Sequence, residues 1–315
     1  MPEIITIGET MAAMAPQDYG PLRYVKGFQP RIAGAESNVA IGLARLGHSV
    51  AWISRLGADE FGEYVFREIR AEGVDVSGVQ FDPDHRTGVM FKERRFSGET
   101  SVYYYRENSA ASHMDGSAID GNTLKAASIV HLTGITPVLS ESCLAMTREI
   151  IRRCATEGIC LSFDPNIRRT LWRGRDYTKD LREMTLAAQI VLMGEEEAGL
   201  LFGDKTEEEW LDLLFTKGNA RYVAIKRGSR GAVVADGHSV VIPPFHCHCV
   251  DPVGAGDGFN AGFLAGILEG RDLKTCGQMG AVVGAKATET TGDVEGYPSR
   301  RQLDQLLNHQ AEVYR

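Results

Sequence analysis

The stretch Val250-Asp251-Pro252-Val253-Gly254-Ala255-Gly256-Asp257, followed by Gly258-Phe259-Asn260-Ala261-Gly262-Phe263-Leu264, decides how this chain is read. Pro252 rules out a helix before it, and two glycines flank Ala255 at a turn. Phe259, Phe263, Leu264, Ile267 and Leu268 then recur at helical spacing until Gly270 stops them. The expectation is a strand end, a tight Gly-Ala-Gly turn and a helix whose first turn carries Asp257. Free N–H groups at a helix start attract anions, and glycines let a phosphate come close. An acid at that spot would repel a phosphate that merely binds. It makes sense where an alcohol gives its proton to Asp257 while the amides hold an incoming phosphoryl group. Two plainer readings compete: loop glycines with Asp257 as a helix cap, and a dinucleotide fingerprint over Gly256-x-Gly258-x-x-Ala261. The second lacks its acidic partner, since Gln278 stands at the expected distance.

Outward from that stretch, strands and helices alternate. Residues 3–8 read as a strand, 39–46 as a small-residue helix closed by Gly47, 50–54 as a strand and 61–71 as a helix, with 74–81 extended. From Ile129 the alternation is regular: strands at 129–132, 159–163, 190–192 and 222–226, and helices at 141–157, 176–187, 195–202 and 207–215. A hairpin over 231–236 and 239–242 precedes the quoted stretch; helices at 258–269 and near 277–289 follow its turn. This pattern predicts an α/β fold with a doubly wound, mostly parallel sheet that binds ligands at the carboxyl ends of its strands. Residues 10–32 and the hairpin 86–106, turning at Ser97-Gly98-Glu99, interrupt the alternation and are expected to form a small β lid. The main domain is then 1–9, 33–85 and 107–315.

The 315 residues suffice for a large core, and the net charge of −8 argues against general nucleic-acid binding. No apolar run reaches the ~20 residues of a membrane span, and the chain opens on a strand, so a cytoplasmic protein is expected. A homo-oligomer is expected as well. Six cysteines without framework spacing suggest free thiols. His246-Cys247-His248-Cys249 invites a metal, but on a strand adjacent residues point to opposite faces.

Polar clusters fall at the expected strand ends. Asp164-Pro165-Asn166-Ile167-Arg168-Arg169 follows one buried strand and Lys226-Arg227-Gly228-Ser229-Arg230-Gly231 another. Glu195, Glu196 and Glu197 open a helix, where the dipole favours acids, and one of them could reach magnesium through water. There is no G-x-x-x-x-G-K-[ST], H-R-D or D-F-G.

The stretch Asp251–Asp257 resembles the C-terminal signature of the ribokinase-like (PfkB) carbohydrate kinases, and Gly34–Asn38 resembles their N-terminal one, with Ala33 for the first of the usual glycine pair. The resemblance spans essentially the whole chain and implies an α/β sheet with a β lid. Tyr104-Tyr105-Arg106, Asp164–Arg168 with Thr170-Leu171-Trp172, and Leu132–Thr136 resemble members that act on a sugar acid, 2-keto-3-deoxygluconate. It implies Asp257 as base, Gly254, Ala255 and Gly256 as anion hole, and Gly34, Asn38, Tyr104, Arg106, Asn166 and Arg168 at the sugar acid. Lys226, Gly228 and Gly231 would lie along ATP, Glu197 would meet Mg²⁺ through water, and Asp251 would help hold a monovalent cation, K⁺. Two departures stand out: Met90 in place of a lid tyrosine, and Gly194-Glu195-Glu196-Glu197 without the family's asparagine. A neutral-sugar kinase and a sugar-binding protein without catalysis are the alternatives.

Overall fold

The computed structural model describes residues 1–94, 100–119, 121–125 and 127–313; the expected turn at Ser97-Gly98-Glu99 lies outside the described residues. The first half runs β1 (Ile4–Ile7), β2 (Met11–Pro16), β3 (Phe28–Ala33), α1 (Ala35–Arg45), β4 (Val50–Gly57), α2 (Glu60–Ala71), β5 (Val79–Asp82), β6 (Val89–Arg94) and β7 (Thr100–Tyr105). Then come α3 (Gly121–Lys125), β8 (Ile129–Thr133), α4 (Glu141–Glu157), β9 (Cys160–Asp164), α5 (Thr178–Ala187), β10 (Ile190–Gly194), α6 (Glu195–Phe202) and α7 (Glu207–Lys217). The chain closes with β11 (Tyr222–Lys226), β12 (Ala232–Ala235), β13 (Ser239–Ile242), α8 (Ala255–Leu268), α9 (Leu273–Ala287) and α10 (Arg300–Val313).

Nine strands form one sheet in the order β13-β12-β11-β10-β9-β8-β1-β4-β5, parallel from β11 to β5, with β12 and β13 antiparallel at one edge. Central strands such as β1 (IITI) and β8 (IVHLT) are buried along their whole length, as helices on both faces require. Strand order reverses at β1, whose neighbours are β4 and β8, and such a reversal opens a crevice at the carboxyl edge. A second sheet, β3-β2-β6-β7, uses the two segments read as an interruption, so the expected architecture is present.

Several boundaries differ from expectation. α1 begins at Ala35, and α9 begins at Leu273 because Asp272 caps it by accepting the Thr275 N–H at 3.0 Å. α8 begins at Ala255 rather than 258. No strand runs into it: β13 ends at Ile242, and Pro243-Pro244 removes two ladder donors. His246–Cys249 therefore lie on an irregular segment, so the strand alternation used to weigh a metal there does not apply; all six thiols are free. α10 was not expected, although Leu303, Leu306 and Leu307 carry a helical spacing that Leu303 buries fully. α8 itself is buried on nearly every side, and Gly262 permits this: a Cβ there would come within 2.5 Å of the Met279 carbonyl in α9.

Candidate active site

The turn before α8 sets the geometry. Gly254 has φ +82°, and a Cβ on it would collide with the backbone carbonyl of Asp293. Only glycine satisfies both conditions at low cost. The chain leaves this residue directly into α8, which puts Asp257 in the first helical turn. Its Oδ2 accepts from Asn38 Nδ2 in α1 at 2.8 Å, and Asn166 Nδ2, just beyond β9, stands 3.5 Å from Oδ1. The carboxyl opens onto a cleft yet is walled by protein elsewhere. Burial pushes its pKa up to about 7; the Asn38 hydrogen bond and Lys226 oppose that rise, while Asp164 adds to it. A carboxylate poised there at neutral pH suits proton abstraction.

Beside Asp257 the carboxyl ends of β9 and β11 meet. Lys226 Nζ donates to Asp164 Oδ2 at 2.7 Å and to Asn260 Oδ1 at 3.2 Å, and Asn260 Nδ2 donates to the same Asp164 oxygen at 2.6 Å. Burial works against the ammonium, but Asp164 and Glu197 outweigh it and raise the pKa, so the charge stays. Glu197 spends one oxygen on the Gly194 N–H and the other on the Ile167 N–H, each at 2.7 Å. It thus ties the start of α6 to the loop after β9, and each oxygen keeps a further lone pair toward the cleft. Burial and the charge of Asp164 hold its pKa up.

These groups line a cleft of about 340 Å³ with Asn166, Arg168, Pro252, Val253, Gly254 and Gly256. Arg168 is exposed at its mouth, and its side chain has no hydrogen-bond or ion-pair partner among the described residues. Gly256 does not need glycine for its backbone: it lies within α8, and a Cβ there would meet only Lys226 Nζ, at 3.7 Å. A side chain at 256 would obstruct the cleft and nothing else.

Other expected residues stand apart from that lining. Arg106 is buried and ion-paired through Nη2 with Glu9, itself 3% exposed, and Ser109 Oγ also donates to Glu9. Tyr104, on β7, is exposed, with the Arg106 guanidinium 5.9 Å from its ring. Gly34 is the residue before α1, packed against Glu9 and Thr10. Gly228 and Gly231 bracket a single helical turn after β11 and are absent from the cleft wall; of that segment Lys226 alone turns into it. Met90 fills a small apolar cluster with Met11, Ala13 and Ala33 in the second sheet. Asp251 faces Lys92.

Asp164 stood in a cluster singled out at a strand end but was given no role of its own, and Asn260, three residues after Asp257, was given none either. Glu36 lies within the Gly34–Asn38 stretch but was given no role, and Lys92 and Asp293 were missed for want of any local signal. Glu36 is fully buried at the β1–β8 reversal, accepting from Thr133 Oγ1 at 2.7 Å and Thr136 Oγ1 at 2.8 Å, and burial pushes it up to about 7.

With this geometry, similarity to known proteins is informative. The pfkB carbohydrate kinase family matches residues 1–300. The chain is 38% identical to 2-dehydro-3-deoxygluconokinase of Bacillus subtilis over 99% of its length and 97% of that protein's. It is 31% identical to the protein of the same name from Thermoproteus tenax, over 98% of this chain and 94% of that one. Among solved structures, an E. coli protein assigned as a ribokinase II, in complex with ATP and Mg²⁺, superposes with a TM-score of 0.91 at 25% identity, covering 98% of this chain and all of that one.

Proposed function

This chain belongs to the pfkB family of carbohydrate kinases, and from that premise we propose that it phosphorylates the primary hydroxyl of 2-keto-3-deoxygluconate, giving the 6-phosphate. The observation that carries the chemistry is the Asp257 carboxyl, raised to about 7 and held by Asn38 and Asn166 beside a helix start and a half-buried lysine. In the proposed reaction the sugar hydroxyl gives its proton to Asp257 as its oxygen bonds the γ-phosphorus of MgATP. The bond to the β,γ-bridging oxygen breaks and ADP leaves. The amides of Gly254, Ala255 and Gly256 receive the charge on the transferring group, with Lys226 alongside. Glu197 would orient water on the metal that arrives with ATP. The second sheet serves as the lid that excludes water. A cytoplasmic homo-oligomer belongs to this proposal; among the described residues no helix is long and apolar enough to cross a membrane.

The sugar acid is supported by the names of the two relatives above and by Arg168 at the cleft, which has no partner among the described residues. One observation favours a neutral sugar instead: Glu9 already neutralises Arg106, leaving one free arginine where two were expected. An ADP-release assay over 2-keto-3-deoxygluconate, its C4 epimer, fructose and ribose separates the readings. The proposal expects the highest kcat/KM on a sugar acid; a preference for fructose or ribose overturns it. For K⁺ at Asp251 the support is weaker, because the carboxylates there already share an ammonium.

A further inference from the structure

We infer that Lys92 is a built-in cation: its ammonium neutralises Asp251 and Asp293 where a free monovalent ion would otherwise serve, and so positions the turn that carries Asp257. The inference rests on the kinase reading only for what it says about turnover.

Lys92 projects from β6 of the second sheet and is 5% exposed, unusual for a lysine without a task. Its Nζ lies 2.9 Å from Asp293 Oδ1 and 3.8 Å from Asp251 Oδ2. Burial disfavours the charge, but Asp293 and then Asp251 outweigh it and raise the pKa, so the ammonium is present at every physiological pH. Glu295 and Arg31 nearby pair with each other at 2.6 Å, Arg94 lines the same cavity as Lys92, and Asp257 is close enough for its charge to act on Asp293. A bare ion needs several oxygens at once. Here Asp251 Oδ1 already takes the Val253 N–H at 3.1 Å, and Asp293 Oδ2 faces Asn38 Nδ2 at 3.4 Å. The donor set fits one ammonium better than K⁺.

Two short routes lead from this ion pair to the chemistry. Asp293 sets the Gly254 turn, because its backbone carbonyl lies where a Cβ on that glycine would go. It also shares Asn38 with Asp257, so the same amide touches both acids. Lys92 acts through these groups and is a positioning residue. Since it comes from the second sheet, the pair also ties that sheet to the core. A cavity of about 290 Å³ lined by Lys92, Asp251 and Gly292 gives an ion a way in once the side chain is shortened.

The test compares wild type, Lys92→Met and Lys92→Arg in potassium and tetramethylammonium buffers of equal ionic strength, reading both Tm and kcat. Wild type is expected to show the same Tm and kcat in both. Lys92→Met should lose about tenfold or more in kcat and melt lower in tetramethylammonium, with K⁺ restoring part of both. Lys92→Arg should stay insensitive to K⁺, and it carries the test if Lys92→Met does not fold. A wild type that needs K⁺, a Lys92→Met enzyme with full kcat in tetramethylammonium, or one that K⁺ does not help would each overturn the inference. The Tm arm stands even if no sugar in the panel is phosphorylated, an outcome that would sink the proposed function and leave the built-in cation intact.

Discussion

Asp257 meets two demands that conflict. A base must be deprotonated to act, yet the walls that hold it favour the neutral acid and raise its pKa from 3.8 to about 7. Catalysis should therefore switch on as pH rises through about 7: kcat/KM for the sugar is expected to show a rising limb there, and a limb near 4 instead would mean that the carboxyl is not raised. Asp257→Asn should cut kcat by roughly 10²–10⁴-fold with ATP affinity nearly unchanged. Linkage gives the stability sign. A carboxyl whose folded pKa is raised stabilises the fold while protonated, and that contribution is lost as pH rises through the folded value. The asparagine variant should thus melt higher than wild type at about pH 8, with the gap narrowing as pH falls and closing only below the unfolded value of 3.8. The neighbouring glycines divide just as sharply. Gly254→Ala meets both a positive φ and the Asp293 carbonyl, so it should lower Tm and abolish turnover. Gly256→Ala should leave Tm unchanged or raised, because its position is helical and open, and lower kcat alone. A matched loss of Tm in both would refute that division.

At the scale of elements, the site is assembled where strand ends meet helix starts, and its arginines are not equivalent. Arg106, just beyond β7, ties the second sheet to Glu9 at the end of β1. Arg106→Leu would strand a buried carboxylate, a loss of about 3–5 kcal/mol, so any kinetic defect would be mixed with instability. Adding Glu9→Gln should recover much of the Tm; no recovery would mean that Glu9 is not the partner that matters. Arg168 has no such debt, and Arg168→Leu is the cleaner probe of a substrate carboxylate. A hydrogen bond to a charged group contributes about 1.5–3 kcal/mol, so KM for the sugar acid should rise about 10- to 150-fold while KM for ATP barely moves. Equal losses on acid and neutral sugars would remove the carboxylate from Arg168.

Across the whole molecule, buried acids make the fold sensitive to pH from the alkaline side. Glu36 sits at the reversal of the nine-stranded sheet, fully buried and raised to about 7. By the same sign rule the contribution is full below the unfolded value of 4.5 and is lost progressively as pH rises to about 7. Glu36→Gln keeps an oxygen for the Thr133 and Thr136 hydroxyls and removes the charge. It should raise Tm at about pH 8 and by much less at about pH 5; a lower Tm at both would show that Glu36 is ionised throughout and needed so.

What the chain determined by itself is what local order can encode. Proline, glycine and a 3.6-residue apolar period place α8 and put Asp257 in its first turn, and alternation of buried strands with amphipathic helices implies a parallel sheet with ligands at one edge. Asn166, Arg168 and Lys226, in polar clusters next to strand ends, could be singled out for the same reason, whereas Asn38 entered only through the family resemblance. Tertiary structure alone decided the pairings across long separations. Arg106 meets Glu9 ninety-seven residues away, and Lys92 meets Asp293 across 201 residues. Nothing near either lysine or arginine in sequence distinguishes a buried, neutralised cation from one waiting for substrate. Charge compensation is a property of what packs together in three dimensions, and there the expected pair of free arginines became one.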